Sequence, residues 1–176
     1  MGMLVSLHRV DKADMDEYLN DSSALEAMLL GENEEEADAD EDHPLPEDPN
    51  LMDIGKSWDA IRFLMAELGH GAKSPLSDII MGGRPVDEEQ DIFGYGPILY
   101  LTPERVKEIN THFSVISRAQ LSALYNADKM NEQGVYQGGW GTDGEDLNHL
   151  LDATQALQAF YSEAAKHGQA VICYMA

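Results

Sequence analysis

Apolar positions fall at helical spacing through most of this chain and crowd into strand-like runs near its two ends. Met3 to Val10 alternates apolar and polar residues, which predicts a first strand, and Asp11 then offers a cap for a helix carrying Met15, Tyr18 and Leu19. Ala24 to Leu30 reads as a second helix stopped by Gly31. Farther on, Ile54, Trp58, Ile61, Met65 and Leu68 are separated by four, three, four and three residues, drawing one stripe on a helix that Gly69 terminates. Ser74-Pro75 reads as a cap with proline in the first turn, followed by Leu76, Ile79 and Ile80 and halted at Gly82-Gly83. Ile98 to Leu101 predicts a short buried strand. Thr102-Pro103-Glu104 opens a helix on Val106, Ile109, Phe113 and Ile116. Ser117 with Gln120, and Thr142 with Glu145, have the spacing of capping boxes, the second before a long helix on Leu147, Leu150, Leu151, Leu157 and Tyr161 that ends at Lys166, His167 and Gly168. Ala170 to Met175 closes the chain as a strand. The pattern predicts an α+β fold, several helices packed around a small mixed or antiparallel sheet, with residues 1–176 forming a single domain.

Composition agrees with folding. Of 176 residues, 43% are hydrophobic and 25% charged, enough apolar surface to offset chain ordering in one domain. No apolar run is long enough to cross a bilayer, and the opening MGMLVSLHRVDKAD lacks the basic, apolar and small-residue parts of a secretory leader, so we expect a cytoplasmic protein. The single cysteine, Cys173, excludes an intramolecular disulfide and a multi-thiolate metal site; its apolar neighbours predict a small core residue.

Charge changes the picture more. Thirty-three acidic residues against eleven basic ones give a net charge of -22, which repels phosphate backbones and anionic lipid, so neither nucleic acid nor a membrane is an expected partner. Ten of the acidic residues lie between Glu32 and Asp48, where no lysine or arginine occurs. Like-charge repulsion there, with Pro44, Pro46 and Pro49, predicts an acidic flexible loop over 32–50. A calcium loop starting at Asp38 fails, because His43 stands where glycine is needed and Pro49 where the closing glutamate belongs. Even without the tract, twenty-three acidic residues outnumber the eleven basic ones two to one.

Candidate chemistry is sparse. Glu145, His149 and Asp152 share one helical face, but that face is centred roughly 150° from the apolar stripe and points to water. His8, His70, His112 and His167 contain no pair at helical metal-binding spacing, and we expect no metal site and no cofactor. Gly94-Tyr95-Gly96-Pro97 lacks the third glycine of a dinucleotide fingerprint. Three glycine clusters with adjacent bulky residues remain, around Arg84, Tyr95 and Trp140, and such loops can frame a cleft. The expectation is that Arg84, Tyr95, Trp140 and Asp143 line one cleft, with Asp78 or Asp143 as an acid-base group if the protein is an enzyme. Trp58, on the apolar stripe, is a weaker ligand-binding candidate because its position favours the core.

Several of these segments carry a family likeness. The opening Gly-Met before a strand ending Arg9-Val10, Lys56-Ser57-Trp58-Asp59 running to Phe63-Leu64, Pro75-Leu76-Ser77 before Gly82-Gly83, and Gly94-Tyr95-Gly96-Pro97 leading into Tyr100-Leu101-Thr102-Pro103-Glu104 resemble the YfbM-like family, a bacterial domain of unknown function. Phe160-Tyr161, Ala164-Ala165 and the terminal Ala170-Val171 strand extend the likeness over nearly the whole chain, whereas the long acidic tract departs from it. The resemblance implies a cytoplasmic α+β domain and supplies no catalytic residues. The reading that results is a non-catalytic binding protein that neutralises a basic protein partner in the manner of small acidic immunity proteins; the alternative is a small-molecule enzyme using the glycine and aromatic cleft. Either a monomer or a homodimer is compatible, the latter by pairing through an exposed edge at the C-terminal strand.

Overall fold

The computed structural model describes residues 2–31, 48–68 and 73–176. Chain order is β1 (Val5–Val10), α1 (Lys12–Asn20), α2 (Ser22–Leu29), β2 (Leu51–Gly55), α3 (Trp58–Glu67), a 3-10 turn (Pro75–Asp78), β3 (Arg84–Pro85), β4 (Leu99–Leu101), α4 (Pro103–Phe113), α5 (Arg118–Leu124), α6 (Ala127–Glu132), α7 (Glu145–Lys166) and β5 (Ala170–Met175). The five strands form one antiparallel sheet in the order β2-β1-β5-β4-β3. The fold is α+β.

The sheet is covered unequally. On one face Val5, Leu7, Leu101, Val171 and Cys173 meet α3, α4 and α7 in the main core, which includes Trp58, Ile61, Phe113, Leu157 and Tyr161. On the other face Val10, Ala170 and Ile172 pack beneath Met15 and Leu25 of α1 and α2 and beneath Ile98 in a smaller cluster. Both faces of β5 are therefore covered, and Ala170 to Cys173 are all buried. A run apolar at every position is what a strand buried on both sides requires.

Local signals fix several helix starts. Ser74 and Thr102 cap their helices from the side chain with proline in the first turn, and Ser117 and Gln120 form the reciprocal pair expected of a capping box. The structure departs from the sequence reading elsewhere. Ile54 belongs to β2, so the stripe assigned to one helix joins a strand residue to a helix that begins at Trp58. Asp11 precedes α1 without a capping hydrogen bond; its carboxylate accepts one from Gln169 instead. Thr142 does not cap α7: Gly144 does so in a left-handed conformation (φ 90°), while Asp143 accepts from the Glu145 amide and Asp146 from Gly141. The C-terminal strand is no edge. β5 lies between β1 and β4, which removes the route to a homodimer expected there. The acidic residues 32–47, His43, Gly69 and His70 lie outside the described residues.

Candidate functional site

Two of the six candidate residues come together at the β3 edge. Asp78 ends the 3-10 turn, and Arg105 in the first turn of α4 reaches it, its Nε donating at 2.8 Å while Nη1 donates to Glu108 at 2.6 Å. Hydrogen bonds to Glu108 and then to Asp78 hold the Arg105 pKa above its ordinary value. Arg84 on β3 lines the same cavity of about 370 Å³, together with Tyr100 and Thr102. Close packing of β3 on β4 depends on Gly83: a Cβ there would sit 2.1 Å from the Tyr100 carbonyl oxygen, and φ is 91°. The lining carries two guanidiniums, Arg84 and Arg105, and one carboxylate, Asp78.

Trp140 lines a different hollow, of about 550 Å³, with Lys56, Tyr136, Gln137 and Asp146. Its indole donates to the Val135 carbonyl at 3.2 Å, and its backbone is clasped in both directions by the Asn131 side chain, which fixes the ring. The lining residues of this hollow and of the Arg84 cavity do not overlap, and neither set includes Tyr95 or Asp143. The single cleft expected from the glycine clusters is thus divided.

The remaining candidates have plain positions. Trp58 is only 8% exposed, donates to the Met3 carbonyl, and packs 5.6 Å from the Tyr136 ring. Tyr95 is 49% exposed on a loop whose Gly94 and Gly96 amides donate to Asp91. Asp143 is exposed and caps α7. Arg105, Lys56, Tyr136 and Asp146 were missed by the sequence reading. Arg105 had a signal, since it stands three residues after the Thr102 cap and so points back over the preceding loop.

A further hollow, of about 440 Å³, runs along β2. Met52 and Ile54 form its strand side and Ala153 and Ala156 of α7 its helix side, with Leu4, Lys56 and His149 also lining it. Of the face expected to point to water, Glu145, His149 and Asp152 are all exposed, and Asp152 pairs with Arg118 at 2.8 Å.

Two buried nucleophilic groups, a thiol and a phenol, are held protonated. Burial pushes the Cys173 thiol up to about 12, against a hydrogen bond from the Met81 amide that acts the other way. Tyr161 is fully buried and donates to the Ile79 carbonyl at 2.7 Å, and burial raises its pKa well above the usual value. Among the described residues no three histidine, cysteine, aspartate or glutamate side chains gather as a metal centre. Nor does any described helix have the length and apolarity to cross a membrane.

These features define an α+β open-sheet domain with shallow surface hollows. A family model described as a domain of unknown function, DUF1877, matches residues 1–174, and the chain belongs to that family. Among solved structures it is similar to the crystal structure of YfbM from Escherichia coli, itself described as a protein of unknown function, with a TM-score of 0.69 and 14% identity over 98% of this chain and 99% of that one. At that identity the likeness speaks for the fold. A search of curated proteins finds no match.

Proposed function

We propose that this protein is a non-catalytic binder that captures and neutralises a basic protein partner in the bacterial cytoplasm. The observation that carries the reading is how its few cations are used. The chain has eleven basic residues and a net charge of -22, and Lys12, Arg62, Arg105, Arg118, Lys129 and Lys166 are each engaged by a carboxylate of the protein itself. Pairing of these cations leaves an exterior whose unpaired charge is overwhelmingly negative, and such a field speeds encounter with a positive surface. The protonated state of Cys173 and Tyr161 supports the same reading, because neither buried group is available as a nucleophile near neutral pH. Of the six candidate residues, Arg84, Tyr95 and Asp143 are exposed, and Tyr95 offers an aromatic anchor on a glycine-flanked loop.

The test is kinetic. Association with folded basic proteins, lysozyme and cytochrome c serving as probes, should slow by about tenfold or more between low and high salt, as steered encounter requires. Rates indifferent to ionic strength, or no association at low salt, would contradict the reading.

A further inference from the structure

Resting on that reading, we infer where the partner docks: an extended basic segment adds to the sheet as a sixth strand along β2. The first ground is an edge left open. Among the described residues β2 pairs only with β1, and it is five residues long without proline. Arg9 donates to the Asn50 carbonyl, so the 9:50 and, by alternation, 7:52 pairs carry the ladder hydrogen bonds to β1. The Asp53 N–H and C=O and the Leu51 C=O then point away from β1, a half-ladder ready to pair.

The second ground is the space beside it. Met52 and Ile54 turn their side chains toward α7, where Ala153 and Ala156 are too small to reach across, and a hollow of about 440 Å³ lies between them. An added strand would lay alternate apolar side chains in this hollow, extending the main core by one row. Leu4, 39% exposed, lines the same hollow as apolar surface.

The third ground is charge, and it selects the occupant. On the opposite face of β2 stand the exposed side chain of Asp53 and, two residues before the strand's Asn50 lead-in, Asp48. A second copy of this chain pairing there would bring two net charges of -22 together, which like-charge repulsion opposes. A strand alternating apolar and basic residues meets apolar space on one face and carboxylates on the other.

The probe is an eight-residue peptide alternating valine and lysine, labelled for fluorescence anisotropy. Backbone N-methylation on the residues that donate to β2 should weaken binding by about tenfold, for two lost hydrogen bonds, while methylation of the alternate residues leaves it within about twofold. The Asp53 amide should gain protection from hydrogen exchange on binding, a readout that leaves the protein unaltered. Asp53→Pro, which removes an outward donor, should weaken peptide binding by about tenfold while leaving association with the basic proteins at low salt measurable. If the peptide binds equally well with either methylation pattern, or not at all while the basic proteins still bind at low salt, the β2 site is overturned and the neutralising role stands. If neither the peptide nor the proteins bind, both fail. A concentration-dependent dimer that protects the Asp53 amide without peptide would also overturn it, giving the edge to a second copy.

Discussion

The two edges of the sheet are built on opposite principles. β3 is two residues long, one of them Pro85, and it is held against β4 by the approach that Gly83 permits, with Arg105 tied to Asp78 and Glu108 beside it. Such an edge offers almost nothing to pair with. β2 has five residues, no proline, outward-facing peptide groups and a hollow alongside. Short length and proline are common protections of an edge, and only one end of this sheet has them. Among the described residues the other is guarded by charge, a protection that repels like surfaces and admits opposite ones.

Three substitutions sharpen this contrast. The largest effect is expected at the closed edge. Gly83→Ala forces a left-handed conformation on a residue with Cβ and drives that carbon into the Tyr100 carbonyl, and we expect a loss of about 4 kcal/mol in a denaturant titration, from strain and overpacking together. A cost near zero would show that β3 docks loosely, and the two edges would differ less than described. Next is Ile54→Ala at the open edge. Ile54 is 6% exposed, and its truncation should cost about 3 kcal/mol by the same titration, because the neighbouring hollow gives α7 no side chain with which to fill the gap. The smallest effect belongs to Asp48. Burial raises its carboxyl pKa, but hydrogen bonds from His8 and the Asn50 amide outweigh that and leave it below the ordinary 3.8. A carboxylate with a depressed folded pKa stabilises above the unfolded value, and its contribution disappears as pH falls through the folded one. Asp48→Asn should therefore lower stability by about 0.5 kcal/mol or less at pH 7, an exposed pair contributing little, and the difference should shrink as pH drops past 3.8 and vanish once it is below the folded-state value, as measured by thermal unfolding across pH. A deficit that persists in acid would mean that the His8 contact works by packing.

What could be read from the sequence follows the range over which each signal acts. The caps at Ser74, Thr102 and Ser117 are completed within three residues, so their chemistry is written in adjacent letters. Ile54 and Trp58 misled for a physical reason: a strand residue and a helix residue separated by a tight turn through Gly55 can both face the core and mimic one helical step. α6 escaped notice because six residues with Ala127 and Met130 as their only buried positions show no period. β3 is too short for any pattern. Strand order was missed, although the unbroken apolar run of Ala170 to Cys173 contained the clue that both faces of β5 are covered. The candidate site fared similarly. Asp78 and Arg84 do share a cavity, but Trp140 was assigned beside Arg84 only because both adjoin glycines, and glycine reports backbone freedom without saying which surface a loop reaches.

The placement of β5 has a bearing on how the molecule is made. The ribosome delivers β1 with β2, and β3 with β4, long before the strand that joins them, and Val10 meets Ala170 across 160 positions of sequence. Until that last strand emerges, β1 with β2 and β3 with β4 have no strand to join them into one sheet. Pairing over such separations is slow to find. A protein assembled in this order gains its keystone last, and the negative charge that accumulates along the chain opposes association between copies before that strand is in place.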